Sequence, residues 1–348
     1  MDNTDKKGSL LSISVSPHIR TDEDTRSIML DVLISMLPAL AVAAYMFGLL
    51  AILNVAFSAG ACMLLEWGYR RLMKKTQSVG DLSAAVTGVL LAFCLPVTIP
   101  WWMLFLGDLF AIILVKQLFG GIGKNFMNPA LAARAFMFSW PVAMTTWVAP
   151  LSYPSFFQVS TADAVSAATP LASLSGGALP GNATLLQAFI GQVGGSMGEV
   201  SAFALLLGGL YLLIRKVITP RIPLAFLGTV AVLSFLFPRG DTGRLSWMLW
   251  QLLSGGVMLG AIFMATDYTT SPVNPTAQLV YGAGCGALTV FIRYFGSYVE
   301  GVSYAILIMN ATVWLLDRAF PQARFGVTRE MRAAARQAKR NPKEAAAK

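Results

Sequence analysis

The stretch Asp163-Ala164-Val165-Ser166-Ala167-Ala168-Thr169-Pro170-Leu171 ends a run of small residues on a threonine hydroxyl. Pro170 bars the residue before it from helical backbone, so Thr169 is expected on extended chain with its hydroxyl accessible. Ser166 and Ala168 leave room beside it for something bulky to dock, and Asp163 adds a carboxylate upstream. The same composition also describes an ordinary Ser/Thr/Ala-rich loop. Asp108 is the clearest ionisable residue well inside an apolar run. An intramembrane carboxylate is a functional candidate, here for an ion pathway, and its alternative is a hydrogen bond to a neighbouring helix. Asn128-Pro129 and Asn274-Pro275 each read as a helix start, with Asn at the N-cap and Pro in the first turn. Such starts present free N–H groups to a phosphate or a ring carbonyl. Around them lie two breaks, Gly120-Gly121-Ile122-Gly123-Lys124-Asn125 and Asp267-Tyr268-Thr269-Thr270-Ser271-Pro272. The glycine-rich one is no Walker loop, because no Gly-Lys-Ser/Thr follows. Cys62, Cys94 and Cys285 form no CxxC pair and His18 is the single histidine, so no metal or iron–sulfur site is expected.

The elements that must position these residues are apolar helices. The 348 residues are 56% hydrophobic and 12% charged, where a soluble domain carries about 25% charged residues. Ten apolar runs read as spans of approximate bounds: Ile28–Gly48, Leu49–Trp67, Leu82–Pro100, Trp101–Phe119, Ala130–Val148, Val200–Ile214, Ile222–Pro238, Trp247–Ala265, Thr276–Tyr294 and Val302–Phe320. Residues 1–27 are polar with no signal-peptide core, so the first run is expected to stay as an anchor. Leu185–Gly198, dense in glycine, is expected as a re-entrant or interfacial piece. Asp31, Glu66, Glu199 and Lys116 fall near span ends, where they can snorkel or meet water.

The net charge of +9 does not imply nucleic acid. The basic residues sit in short loops and the tail, and they follow the positive-inside rule. With both termini in the cytoplasm, 23 Lys and Arg fall inside, Arg134 among them, and three fall outside: Arg239, Arg244 and Arg293. The Thr169 loop is then extracytoplasmic. The expected organisation is a cytoplasmic segment (1–27), a first five-helix group (28–148), the loop (149–199), a second group (200–320) and a basic tail (321–348), which can contact anionic lipid or a partner. Gly88-Val-Leu-Leu-Ala-Phe resembles Gly256-Val-Met-Leu-Gly-Ala, and Met127-Asn128 with Arg134-Ala135-Phe136 resembles Met309-Asn310 with Arg318-Ala319-Phe320. Matching span three with eight and five with ten pairs helices of opposite direction, the pattern of an inverted repeat. The fold class expected is thus an all-α polytopic membrane protein of about ten transmembrane helices in two inverted five-helix repeats.

Three groups of residues carry a family resemblance. Ser16-Pro17-His18-Ile19 with Arg26 to Leu33, Gly120 to Ala130 followed by Arg134-Ala135-Phe136, and Asp267 to Pro272 together resemble the RnfD/NqrB family. Its members belong to the Rnf electron-transport complex and to the sodium-pumping NADH:quinone reductase. The short N-terminal segment is nearer to the RnfD branch. The resemblance implies FMN attached to Thr169 through a phosphodiester, within a motif that Asp163, Ser166, Ala168 and Thr169 match, while Ala167 stands where Gly or Ser is common. It implies a flavin transferase for maturation, acting outside the bacterial cytoplasmic (inner) membrane. It also implies partner Rnf subunits bearing iron–sulfur clusters and flavins, among them a second FMN-carrying subunit. The activity implied is electron transfer between ferredoxin and NAD, coupled to Na+ or H+ translocation, with no turnover by this subunit alone. A second, noncovalent flavin such as riboflavin is implied for relatives, and the breaks bearing Gly121, Asn128, Asp267 and Asn274 are its candidate walls. The architecture resembles that of urea transporters, so the alternative is a solute channel or secondary transporter without a redox group. A channel has no need of the Asp163–Thr169 motif.

Overall fold

The computed structural model describes residues 24–151, 156–157, 168–181, 183–240, 243–296 and 300–321. Asp163, Ser166, His18 and the tail beyond residue 321 lie outside the described residues. Asp24 and Ser27 close a capping box that starts α1, Thr25–Phe47. Gly48, at φ 74°, turns the chain straight into α2, Leu49–Leu72. Helix α3, Ser83–Phe93, stops short of Pro96. Helix α4, Trp101–Leu109, widens into a π-helical segment over Phe110–Gln117. After the glycine-rich break, Asn128 caps α5, Pro129–Met137, by accepting from the N–H groups of Ala130 and Leu131. The expected span Ala130–Val148 is not one helix. Pro141 cannot continue it, and a separate short α6 covers Pro141–Met144.

Two short helices follow, α7 at Pro170–Ser175 and α8 at Leu185–Ile190. The glycine-rich chain after α8 runs into the interior rather than forming a helix. Its Met197 and Gly198 N–H groups donate to the carbonyls of Leu95 and Phe93 (3.1 and 2.9 Å), satisfying the broken end of α3. The second group comprises α9, Ala202–Ile214, α10, Arg221–Leu236, α11, Arg244–Leu253, and α12, Val257–Leu259. A π-helical segment at Gly260–Met264 extends α12, and the α11–α12 pair bends by 65°. Asn274 then caps α13, Pro275–Phe295, and α14 spans Val302–Ala319.

Every regular element among the described residues is helical. Helices α1, α2 and α13 are each long and apolar enough to cross a membrane, and the bent α11–α12 pair makes a fourth. Exposed Leu64, Trp102, Leu224, Phe291 and Trp314 form the outer surface expected of a membrane bundle. Inside, α2 packs on α3, α10 on α13, and α1 on α9. The first of these contacts is close: a Cβ on Gly88 would meet the Ser58 carbonyl oxygen at 2.6 Å. One core fills the bundle, and a smaller cluster of Leu171, Leu174, Ala188, Trp247 and Trp250 ties α7 and α8 to α11.

Candidate functional site

Thr169 occupies the N-cap position of α7 in extended backbone, φ −73° and ψ 149°, as Pro170 demands. Its side chain makes no capping hydrogen bond, so the hydroxyl remains uncommitted to the helix. Thr169 and Ala168 border a cavity of about 430 Å³, walled by Pro150, Ser173, Pro180, Gln192 and Gly194 among others. The described lining residues include no carboxylate and no cation, so none of them repels or neutralises an incoming phosphoryl group. The Leu171–Trp247 cluster below holds this short helix in place.

The two breaks expected as walls of one site do meet. A cavity of about 300 Å³ is lined by Asn125 and Asn128 from one break and Asp267 and Thr269 from the other, with Lys116 of the π-helical segment and Ser83 and Thr87 of α3 beside them. Asn128 donates to the Met264 carbonyl (3.3 Å) while capping α5. Asp267 is held by the hydroxyls of Thr269 (3.0 Å) and Thr270 (3.1 Å). Gly121 and Asn274 do not line this cavity. Gly121, at φ 93°, lies against the Arg70 guanidinium instead, where a Cβ would approach to 2.7 Å. Asn274 caps α13, accepting from the Thr276 N–H at 2.9 Å. Asn128 and Asn310 come together at the centre, the Asn310 amide oxygen taking the Asn128 N–H at 3.1 Å.

Three charges expected to snorkel are sealed inside. Lys116 and Glu66 pair at 2.9 Å with both side chains at most 3% exposed, and Lys116 also donates to the Ser83 hydroxyl at 2.6 Å. Glu199 pairs with Arg134 at 3.2 Å, and Arg134 also bonds Glu300 and the Ser303 hydroxyl. Arg134 is thus no loop cation of the kind the positive-inside count assumes. It is buried in α5 and neutralises two carboxylates, because a bare charge in hydrocarbon is costly. Arg293, also counted as a loop residue, donates to Gln251 (2.8 Å) and to the carbonyl of Ser254 (2.8 Å). Asp31 keeps a partly exposed partner, Arg215, at 3.1 Å.

Asp108 is fully buried. Its Oδ1 lies 2.6 Å from the Ser58 hydroxyl and 3.3 Å from the Cys62 thiol, while Oδ2 has no partner. Ser58 and Cys62 belong to a row that sequence reading missed: Asn54, Ser58, Cys62, Glu66 and Arg70 recur at every fourth position of α2. That spacing puts them on one helix face. The signal was present in the sequence, as a polar stripe through an apolar helix.

These features define a multi-pass membrane protein whose polar groups gather inside the bundle and at one open threonine. The chain belongs to the NQR2, RnfD, RnfE family, whose model matches residues 12–326. It is similar to the D subunit of the Na(+)-translocating ferredoxin:NAD(+) oxidoreductase complex of Acetobacterium woodii, 47% identical over 322 residues, with 92% of this chain and 96% of that protein covered. The D subunit of the proton-translocating ferredoxin:NAD(+) oxidoreductase complex of Clostridium ljungdahlii is 39% identical over 336 residues, covering 93% and 98%. Its counterpart in the ion-translocating oxidoreductase complex of Stutzerimonas stutzeri is 40% identical over 330 residues, covering 86% and 91%. The resemblance to RnfD read from the sequence is therefore borne out.

Proposed function

We propose that this chain is the membrane flavoprotein subunit of an Rnf-type complex, carrying FMN covalently on Thr169. In this reading the complex couples electron transfer between ferredoxin and NAD to Na+ or H+ movement. One observation carries the flavin assignment: an extended threonine whose hydroxyl takes no part in the helix cap and that borders a cavity of about 430 Å³. The residues present fit an attached flavin phosphate. Pro170 fixes the backbone, small and prolyl side chains leave the space open, and Gln192 and Ser173 offer hydrogen bonds without charge. When bound, the flavin supplies reversible electron transfer. The chain's own residues hold its attachment point, with α7 clamped to α11 through Leu171, Leu174 and Trp247.

The break cavity is assigned to a second, noncovalent flavin of the riboflavin class. Lys116, Asn125, Asn128 and Thr269 supply hydrogen-bonding groups, and Val86 and Leu90 supply an apolar wall. Asp108 is assigned to the ion pathway. The inverted five-helix repeat and the urea-transporter-like arrangement belong to the same reading. Supporting it, the leading helices α1 and α9 pack together, as do the closing helices α5 and α14. Within each group the second helix packs on the third and fourth, α2 on α3 and α4, α10 on α11 and α13. Support for cytoplasmic termini comes from the break cavity. It gathers the starts of α1, α3 and α5 with Lys116, whereas Thr169 caps α7, whose Leu171 and Leu174 pack on Trp247 near the start of α11 and Tyr294 near the end of α13. Partner Rnf subunits, a flavin transferase and lipid complete the reading.

The test is co-expression with an active flavin transferase, denaturation in detergent, and a gel viewed under ultraviolet light. A fluorescent band for the wild type that Thr169→Ala lacks is the expected outcome. A dark wild-type band, with the transferase active on another substrate, removes the assignment.

A further inference from the structure

The polar row on α2 faces a buried carboxylate that lacks a counter-charge. Ser58 Oγ lies 2.9 Å from the Gly88 carbonyl and 2.6 Å from Asp108 Oδ1. A hydroxyl has one proton to donate, and a carbonyl can only accept. The Ser58 proton therefore serves Gly88 and Asp108 by turns, and Asp108 has no donor of its own beyond Ser58 and the weak Cys62 thiol, both on Oδ1. Oδ2 is bare and sealed from solvent, a state that an ionised carboxylate in an apolar interior does not tolerate without a partner. Among the described residues no cation pairs with Asp108. Helix α2 presents the Cys62 thiol and, one turn on, Glu66, and the π-segment presents Lys116, already bound to Glu66 at 2.9 Å. At the neighbouring Gly107 the nearest side chains across are the uncharged Leu91 of α3 and Met137 of α5.

We infer that Asp108 is a proton-holding site inside the bundle, and that the α2 face through Cys62 and Glu66 connects it to the break cavity. The inference rests on the ion-pathway reading above and names the ion this site takes. Sodium is a poor occupant: a hard cation wants several oxygens, and here a thiol occupies one side. The route toward the cavity follows the α2 row. Cys62 touches Asp108, Glu66 stands one turn further and bonds Lys116, and Lys116 and Ser83 line the cavity itself. Asp108 and Lys116 lie on one helical rod, separated by roughly 12 Å at the usual rise. In each transfer the Asp108 O–H bond breaks as an O–H bond forms on the Glu66 carboxylate, with the Cys62 thiol exchanging its own proton in between, and Asp108 is a carboxylate only until the proton returns.

The experiment uses the whole oxidised complex, without turnover. Infrared spectra should contain a protonated-carboxyl carbonyl band that shifts in deuterated water and is absent from Asp108→Asn. Asp108→Glu, which keeps the acid, should move the band rather than remove it. The band should be the same in sodium and in choline buffer. Cys62→Ala should slow its hydrogen–deuterium exchange about a hundredfold, and Cys62→Ser should restore the rate. A wild type without the band near neutral pH, or a band that sodium abolishes, overturns the proton site. Exchange unchanged in Cys62→Ala overturns the route. Pumping assays in vesicles separate the two readings: normal pumping by Asp108→Asn removes the ion-pathway role while leaving the infrared result to stand or fall by itself.

Discussion

At the scale of single residues, Arg134 has a large energetic stake. Its guanidinium reaches Glu199, Glu300 and the Ser303 hydroxyl from inside a buried helix. Removing it strands two carboxylates, and breaking a buried pair costs about 3–5 kcal/mol. Arg134→Ala is therefore expected to lower the unfolding temperature in detergent sharply, and Arg134→Lys to recover only part, because one compact ammonium nitrogen lacks the spread by which two guanidinium nitrogens reach separate partners. An unshifted melting curve for Arg134→Ala would show that the network contributes nothing. Thr169 has the opposite character. It bears little of the packing, so Thr169→Ser, which retains the hydroxyl, should keep both stability and a fluorescent band on the denaturing gel. Proline at position 170 marks this threonine within the sequence itself. Nothing local marks Arg134 as buried, since its partners lie 65 and 166 residues away.

At the scale of elements, position depends on two contacts. Helix α7 has six residues and cannot hold itself together; the Leu171–Leu174–Trp247–Trp250 cluster does it. Trp247 is fully buried, so Trp247→Ala should cost about 3–5 kcal/mol and leave the Thr169 segment loose. Limited proteolysis near residue 169 should accelerate while the α1–α5 fragment stays resistant; equal protection in both proteins would refute the clamp. The second contact is α3 against α2. A side chain at Gly88 would enter the Ser58 backbone, so Gly88→Val should destabilise by about 1–3 kcal/mol through overpacking. It should also displace Ser58 from Asp108, read as a changed carboxyl band. Proline and glycine announced the breaks in the chain, and Asn128 and Asn274 announced the helix starts. The π-helical segments carry no comparable mark, and α5 fell short of the expected span because Pro141 outweighed the hydrophobic run.

At the scale of the whole molecule, orientation and assembly are the open tests. The three native cysteines are fully buried and should not react with a membrane-impermeant thiol reagent, giving a silent background. On it, Gly181→Cys, beside the Thr169 cavity, should label from outside intact cells, and Lys75→Cys, after α2, only after permeabilisation. The reverse pattern would invert the proposed topology. Relatives whose names specify sodium and proton translocation stand at 47% and 39% identity, so overall similarity does not select the ion; the groups around Asp108 must.

The amino-acid sequence by itself determined the apolar runs, their interruptions and the extended threonine, because hydropathy, proline and capping chemistry act over a few neighbouring residues. Only the tertiary structure decided that Lys116 and Glu66 are sealed together and that Arg134 belongs to the interior. It also decided that Asn128 meets Asn310, and that the polar face of α2 turns toward Asp108. Those pairings depend on how far each helix is rotated and shifted against its neighbours. That is set by close packing across the bundle, and no local pattern contains it.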